Sequence, residues 1–313
     1  MSELKIWMNG SLKSQAEAVL PVNSAAVFYG TNVFEGLRAY WNPKEEELFG
    51  FRLQEHFNRI RESLKMNRFE IPYSDADLFE AVRETLRGNQ IREDVHMHMV
   101  AYVLGVGTDA TGPTGLYINP RHRGRIAGGE GLKCCISSWV RTSDNAIPIR
   151  LKSGPNYQNG RLATLQAKAD GYDAAIFLNN QGRVAEGSGA TFMMVRKGKI
   201  VTPPLTADVL ESITLETLIE DIGPRVLGMP IVEREIDRTE VYVAEEAFFC
   251  GSGYEITPIT SIDRFALGTG KVGPITQRLS DAYMALVRGT DKKHAEWRTA
   301  TYRSAAVPTA AGK

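Results

Sequence analysis

Cysteine is scarce: the 313 residues hold three, two of them neighbours at Cys134 and Cys135. Adjacent cysteines are badly placed to bond each other and a third cannot complete a framework, so a disulfide-stapled fold is excluded and a reducing, cytoplasmic setting is expected. Net charge is missing too, with 37 basic residues against 37 acidic. That balance removes the footprint of a nucleic-acid or anionic-membrane partner. No run of about 18 uncharged apolar residues occurs, so no membrane-spanning helix is expected, and the opening MSELKIWMNG has no apolar stretch of signal-peptide length. Internal repeats are absent, and the short tail SAAVPTAAGK is expected to fray. Small-molecule chemistry is what these absences leave.

At this length two domains are the default expectation. Short strand-like runs alternate with helical ones in the first third: KIWMNG, VFEGLRAYW, LFGFR, helices over 53–66 and 75–88, then HMHMVAYVLGV. Residues 107–131 are rich in Gly, Pro and Arg without a clear period and read as a long loop and linker. From KCCISSWVR onward the runs AAIFLN, GATFMMV, GKIVTP, IVEREI, EAFFC and ITPITSI are strand-like, with helices near 158–170, 212–222 and 272–289. The expected class is α/β (α+β), divided into a small α/β domain over 1–120, an inter-domain loop over 121–132 and a larger domain over 133–313.

Several stretches carry chemistry. In VHMHMV, strand periodicity puts His96 and His98 on one face, as a metal pair, a pH-sensitive patch, satisfied core histidines or part of a substrate pocket. With five histidines in the chain and no further ligand at suitable spacing, no metal is expected. LKSGPNYQNG places Lys152 after a strand-like run and before a turn. A lysine is normally a solvated surface residue, but one buried there becomes a nucleophile and proton shuttle. Glu186 precedes Gly187-Ser188-Gly189, and reads either as a plain strand-end carboxylate beside flexible glycines or as one paired with a protonated ring nitrogen, where the glycines let backbone approach a flat ligand. Ser212, Ile213 and Thr214 open a helix whose free N–H groups suit a phosphate or merely mark a plain cap. CGSGYEITPI offers a second glycine-lined turn with Ser252. Arg59 in EHFNRIRESLKM reads as a phosphate clamp or as an ordinary exposed helix arginine.

In this order, FYGTNVFEGLRAYW, EHFNRIRESLKM, LKSGPNY, GYDAAIFLNNQGRVAEGSG, the helix start after TPPLT, and CGSGYEITPI resemble the fold type IV pyridoxal-phosphate enzymes, most closely the branched-chain amino acid aminotransferases. The resemblance runs from about residue 5 to 290. It implies a smaller α/β domain and a larger one built around a barrel-like sheet, with pyridoxal 5'-phosphate between them. Lys152 is then the lysine that carries the cofactor and shuttles the substrate proton, Glu186 the partner of the pyridine nitrogen, and Tyr157 the neighbour of the phenolic oxygen. Arg59, Ser212, Ile213, Thr214 and Ser252 form the phosphate cup. Tyr29, Phe34, Gly36, His96, His98, Gly253 and Tyr254 fall in the substrate pocket. A homodimer or higher homo-oligomer is implied, with residues 105–115 reaching toward a neighbour's site.

The sequence departs from the family pattern where specificity is set. Branched-chain enzymes carry Tyr-x-Arg on the strand that here bears His96 and His98, and a mostly neutral imidazole grips a carboxylate far less firmly than a forked guanidinium. The helix start reads Ser212-Ile213-Thr214-Leu215 in place of Gly-Ile-Thr-Arg, Ala190-Thr191 follows the glycine pair, and Tyr254 puts an aromatic where small residues are usual. The expected activity is transfer of an amino group between a hydrophobic, branched-chain-like amino acid or amine and a 2-oxo acid, in two half-reactions through Lys152. Alternatives are an R-selective amine transaminase, a D-amino acid aminotransferase, an aminodeoxychorismate lyase and a non-catalytic cofactor binder. Should carboxylate binding lie elsewhere, Arg121, Arg123 and Arg125 of the long loop are the next candidates.

Overall fold

The structure is a computed structural model that describes residues 3–126 and 130–303; the tail at 304–313 lies outside the described residues. The first sheet contains β1 (Ile6–Met8), β2 (Ser11–Lys13), β3 (Asn32–Asn42), β4 (Glu47–Phe51), β5 (Val95–Val103) and β6 (Thr114–His122). Its helices are α1 (Ala25–Phe28), α2 (Leu53–Met66) and α3 (Asp75–Gly88). The second sheet contains β7 (Leu132–Ile136), β8 (Ala174–Leu178), β9 (Val184–Gly187), β10 (Thr191–Arg196), β11 (Lys199–Thr202), β12 (Ile231–Glu233), β13 (Glu246–Gly251), β14 (Glu255–Ile262) and β15 (Phe265–Ala266). With it go α4 (Asn156–Ala169), α5 (Ile213–Thr217) and α6 (Pro274–Val287), and a final strand, β16 (Arg298–Ala300), closes the described chain.

The first sheet runs β16-β4-β3-β5-β6-β1-β2. Alternation along VFEGLRAY sorts β3 into two faces. Val33, Leu37 and Ala39 are fully buried and join Phe57, Ile60, Leu78, Val82 and Leu86 of α2 and α3 in one core. Phe34, Gly36, Arg38 and Tyr40 face the other way, and Gly36 and Arg38 lie opposite His98 and His96 of β5. Helix α3 starts cleanly because Ser74 and Asp77 form a capping box.

In the second sheet, β10-β13-β14-β7-β8-β9 form a continuous row, and β9 also pairs with β10, which closes six strands into a barrel. The closing register pairs Glu186 with Thr191. A separate core, including Phe248, Leu279 and Tyr283, takes in Tyr40 and Phe51 of the first sheet and so ties the two sheets together.

Three sequence expectations change. Residues 107–131 are not one long loop, because Thr114–His122 forms β6, paired along its whole length with β5. Leu116 and Ile118 are buried in it, an alternation masked by Gly115 and Pro120. The connection between the sheets is therefore 123–131. The run before Lys152 is irregular turn rather than strand. Finally, the last described residues leave the second unit: β16 pairs with β4, and Glu47 accepts hydrogen bonds from the backbone N–H groups of Thr301, Tyr302 and Arg303 at 2.8–3.0 Å.

One carboxylate couples β3 to α2. Glu35 is fully buried; its Oε1 accepts from Arg59 Nε at 2.7 Å, and its Oε2 meets Arg59 Nη2 and His56 Nδ1, each at 2.7 Å. Burial alone would raise its pKa, but Arg59 and His56 outweigh that and hold it well below the usual carboxylate range. Glu35→Gln should therefore destabilise the protein by about 3–5 kcal/mol at pH 7, since Arg59 is left without its counter-charge. Because the native pKa is depressed, the stabilisation is full above the unfolded value near 4.3 and is lost as pH falls toward the native one, at about 1.4 kcal/mol per unit. The stability gap between parent and variant, read from denaturant unfolding, should thus narrow by about 1 kcal/mol between pH 7 and pH 3.5; an equal gap at both would show that charge is not what Glu35 contributes.

Candidate active site

The β3 face that turns from the helices looks onto a cavity of about 260 Å³ between the sheets. Lys152 enters it from the turn before α4. That turn is sewn to the first sheet: Phe34 N–H donates to the Lys152 carbonyl at 2.9 Å, Ser153 bridges to Val33, and Lys152 N–H donates to Ser63 Oγ at 3.2 Å. Lys152 Nζ donates to the Tyr157 hydroxyl at 2.6 Å and lies 5.0 Å from the centre of the Phe34 ring. Among the described residues lining the cavity it is the only amine.

Glu186 also lines the cavity, at the barrel closure, and is 6% exposed. Its Oε1 accepts from Arg141 Nε and Nη2 at 2.8 Å, and its Oε2 accepts from Leu210 N–H at 3.3 Å. Burial raises its pKa and Arg141 opposes the rise. After it the chain passes Gly187-Ser188-Gly189. A Cβ on Gly189 would stand 3.8 Å from Tyr157 and 3.9 Å from Tyr254, in space that glycine leaves open between the two rings. Gly160 of α4 admits the Ser188 carbonyl, which a Cβ would meet at 2.5 Å. The Ser188 hydroxyl is buried without a partner.

A cluster of donors marks another wall. Arg59 places three of its five N–H groups on Glu35 and the Glu211 carbonyl, leaving two for a ligand. Ser212 caps α5 by accepting from Leu215 N–H at 3.2 Å, and Ile213 and Thr214 are the first helical residues, whose N–H groups have no intrahelical acceptor. Ser252 Oγ lies 3.3 Å from His56 Nε2. Burial lowers the His56 pKa, so the imidazole is neutral at pH 7, donating from Nδ1 to Glu35 and accepting from Ser252 at Nε2.

On the substrate side, His96 and His98 stand edge to face with ring centres 4.6 Å apart. Burial, then the neighbouring cations and His98, lower His96 to about 2; burial and nearby arginines lower His98 to about 4. Both rings are neutral at pH 7. Gly36 leaves the His96 ring its room, since a Cβ there would stand 3.1 Å from His96 Nε2, a tight contact.

Of the residues expected in the site, Arg59, Lys152, Tyr157, Glu186, Ser212, Ile213, Ser252, Phe34, Gly36, His96, His98, Gly253 and Tyr254 all line this cavity. Thr214 does not; it is buried behind the helix start. Tyr29 is outside as well. It follows the four-residue α1, is 46% exposed and packs its ring 4.8 Å from Phe28. Arg141, Glu35 and His56 were not expected and hold the others in place. His56 was within reach, because it lies three residues from Arg59 on one helix face; the segment around Arg141 has no periodicity that could have marked it. Of the three arginines expected in the loop, Arg121 lies in β6, opposite His96, Arg125 pairs with Glu255 at 3.1 Å, and Arg123 lines the cavity.

The model of the amino-transferase class IV family matches residues 32–262. A branched-chain-amino-acid aminotransferase of Pseudomonas aeruginosa is 38% identical over 300 residues, covering 94% of this chain and 96% of that protein. The crystal structure of a branched-chain aminotransferase from Thermoproteus uzoniensis with norvaline superposes with a TM-score of 0.91 at 39% identity, covering 96% of this chain and all of the other. That of a branched-chain amino acid aminotransferase from Thermobaculum terrenum in its PLP form gives 0.89 at 38% identity, covering 96% and 99%. Identity at this level along nearly the whole chain, on a fold in which Lys152, Tyr157 and Glu186 line one cavity, makes the protein a member of the class IV aminotransferases.

Proposed function

We propose that the protein is a pyridoxal-phosphate-dependent aminotransferase that moves the amino group between a branched-chain amino acid and a 2-oxo acid. The observation that carries this reading is the grouping in one cavity of a single amine on Tyr157, a buried carboxylate on Arg141, and the donors of Arg59, Ser212 and Ser252. Those donors fit a phosphate, the open space over Gly189 fits a flat ring, and Glu186 fits a protonated ring nitrogen. Bound there, pyridoxal phosphate supplies an electron sink for negative charge at the substrate Cα.

The chain's own groups do the rest. Lys152 would hold the cofactor at its aldehyde end, and its Nζ is placed to take the proton from the substrate Cα. Tyr157 orients Nζ through the 2.6 Å hydrogen bond. Glu186, fixed by Arg141, would keep the cofactor's ring nitrogen protonated. Phe34, Tyr157 and Tyr254 wall the reacting centre against water and offer apolar surface to an aliphatic side chain.

A homo-oligomer is part of the proposal. Val22, Val27, Phe28 and Val106 are 51–83% exposed, and Ala25 N–H donates to the Gly105 carbonyl at 2.7 Å, so α1 and the start of the 105–115 segment present one apolar surface. Among the described residues no helix is long and apolar enough to cross a membrane, and the three cysteines are free, which supports a cytoplasmic location.

Lys152→Ala should abolish turnover of L-leucine with 2-oxoglutarate, by several orders of magnitude, while circular dichroism stays that of the parent and pyridoxal phosphate still binds reversibly. Turnover within about tenfold of the parent, about 1.4 kcal/mol of barrier, would remove Lys152 from the reaction. Glu186→Gln takes the anionic partner from the ring nitrogen, so stopped-flow measurements should show proton transfer slowing more than leucine binding weakens. Loss of phosphate affinity with an unchanged rate would contradict that role.

A further inference from the structure

We propose that Arg123, at the mouth of the cavity, binds the carboxylate of the amino acid and 2-oxo acid substrates, in place of any cation on β5. The proposal rests on the aminotransferase reading of the same site. A carboxylate needs a donor of fixed charge, and both same-face positions of β5 are imidazoles, neutral at pH 7.

The other cations on the cavity wall are already engaged. Arg59 is held by Glu35, Arg141 by Glu186, and Lys152 by Tyr157. Arg38, on the same β3 face, is 3% exposed and paired with Glu255. Arg123 differs: among the described residues its guanidinium has no carboxylate partner, and it is exposed to solvent. Its main chain is nevertheless anchored, because Arg38 Nη1 donates to the Arg123 carbonyl at 3.1 Å.

The side chain then runs back over the turn that carries Ser252. Arg123 Nη1 lies 3.5 Å from where a Cβ on Gly253 would stand, and His96 Nε2 lies 3.7 Å from the same point. The guanidinium, the neutral His96 ring and the Gly253 backbone thus meet in one place. Arg123 is among the charges felt by His96, His98 and Tyr254, which puts its field over the same part of the pocket. A carboxylate placed there would face a forked cation in front and neutral imidazoles behind, with no opposing carboxylate among the described residues of the cavity wall other than Glu186 and Glu211.

The test uses the holoenzyme. In Arg123→Gln, 4-methylvalerate, a leucine analogue with no amine to transfer, should bind roughly ten- to a hundredfold more weakly by calorimetry, with Arg123→Lys in between. The ratio of kcat/KM for L-leucine to that for 3-methylbutylamine, which lacks the carboxylate, should fall by a similar factor and mainly through KM. An unchanged Kd for 4-methylvalerate, or equal loss of both donors, overturns the proposal. A parent enzyme that converts neither donor, yet binds 4-methylvalerate through Arg123, would instead overturn the aminotransferase reading and leave the carboxylate site standing.

Discussion

The buried ion pair between Glu35 and Arg59 sets the geometry on which the site depends. Strand alternation puts Glu35 on the helix-facing side of β3, amid a core of Leu, Val, Phe and Met, where an unpaired carboxylate would be untenable. Its two oxygens are satisfied by Arg59 and His56, one helical turn apart on α2. The consequence reaches the second sheet. Arg59 goes on to the Glu211 carbonyl, just before the α5 start, and His56 goes on to Ser252, on the turn between β13 and β14. Elements distant in sequence converge on one donor-rich corner because a single carboxylate in the first sheet orients the two α2 side chains that reach the others.

The opposite end of the cavity has a different logic. Glu186 sits where β9 pairs with β10 and the barrel closes. Closure puts its carboxylate against Arg141 and the Leu210 amide, so it is rigid before anything binds. The next residues, Gly187-Ser188-Gly189, carry the chain beside Tyr157 and Tyr254. The barrel's seam thus does two jobs: it fixes a charge, and it leaves a flat gap beside it. Preorganisation of this kind spares the reaction the reorganisation that water would need.

Much of this was legible in the chain before any coordinates. Helices α2 and α3 follow their apolar periodicity from end to end, and the ordered motifs named residues that line one cavity because each motif is local: a lysine before a turn, a carboxylate before glycines, a capped helix start. Contacts that join separate elements left no local trace. Arg141 lies in an irregular segment, and Glu35 is one polar residue inside an apolar strand, a signal that identifies an anomaly without naming its partner. The strand β6 was hidden by Gly115 and Pro120, whose composition suggests a turn, although Gly115 is there because a Cβ would meet the Tyr102 ring at 2.5 Å. Tyr29 fell away because it caps the end of the four-residue α1 with its ring against Phe28 and 46% exposed, a placement that its motif does not reveal.

The arginines explain why the pocket is polar in an unusual order. Arg38, Arg52, Arg59 and Arg141 are all at most 12% exposed, and each has a carboxylate partner. A buried guanidinium without one would cost several kcal/mol, so interior arginines in this fold are structural ties, poorly suited to releasing their partner for a substrate. Recognition of an incoming anion therefore falls to a cation that stays hydrated until the substrate arrives. Placing neutral imidazoles deep and the free guanidinium at the rim has a kinetic corollary: the charge acts on the substrate during approach, through solvent, before it reaches the apolar wall around Lys152.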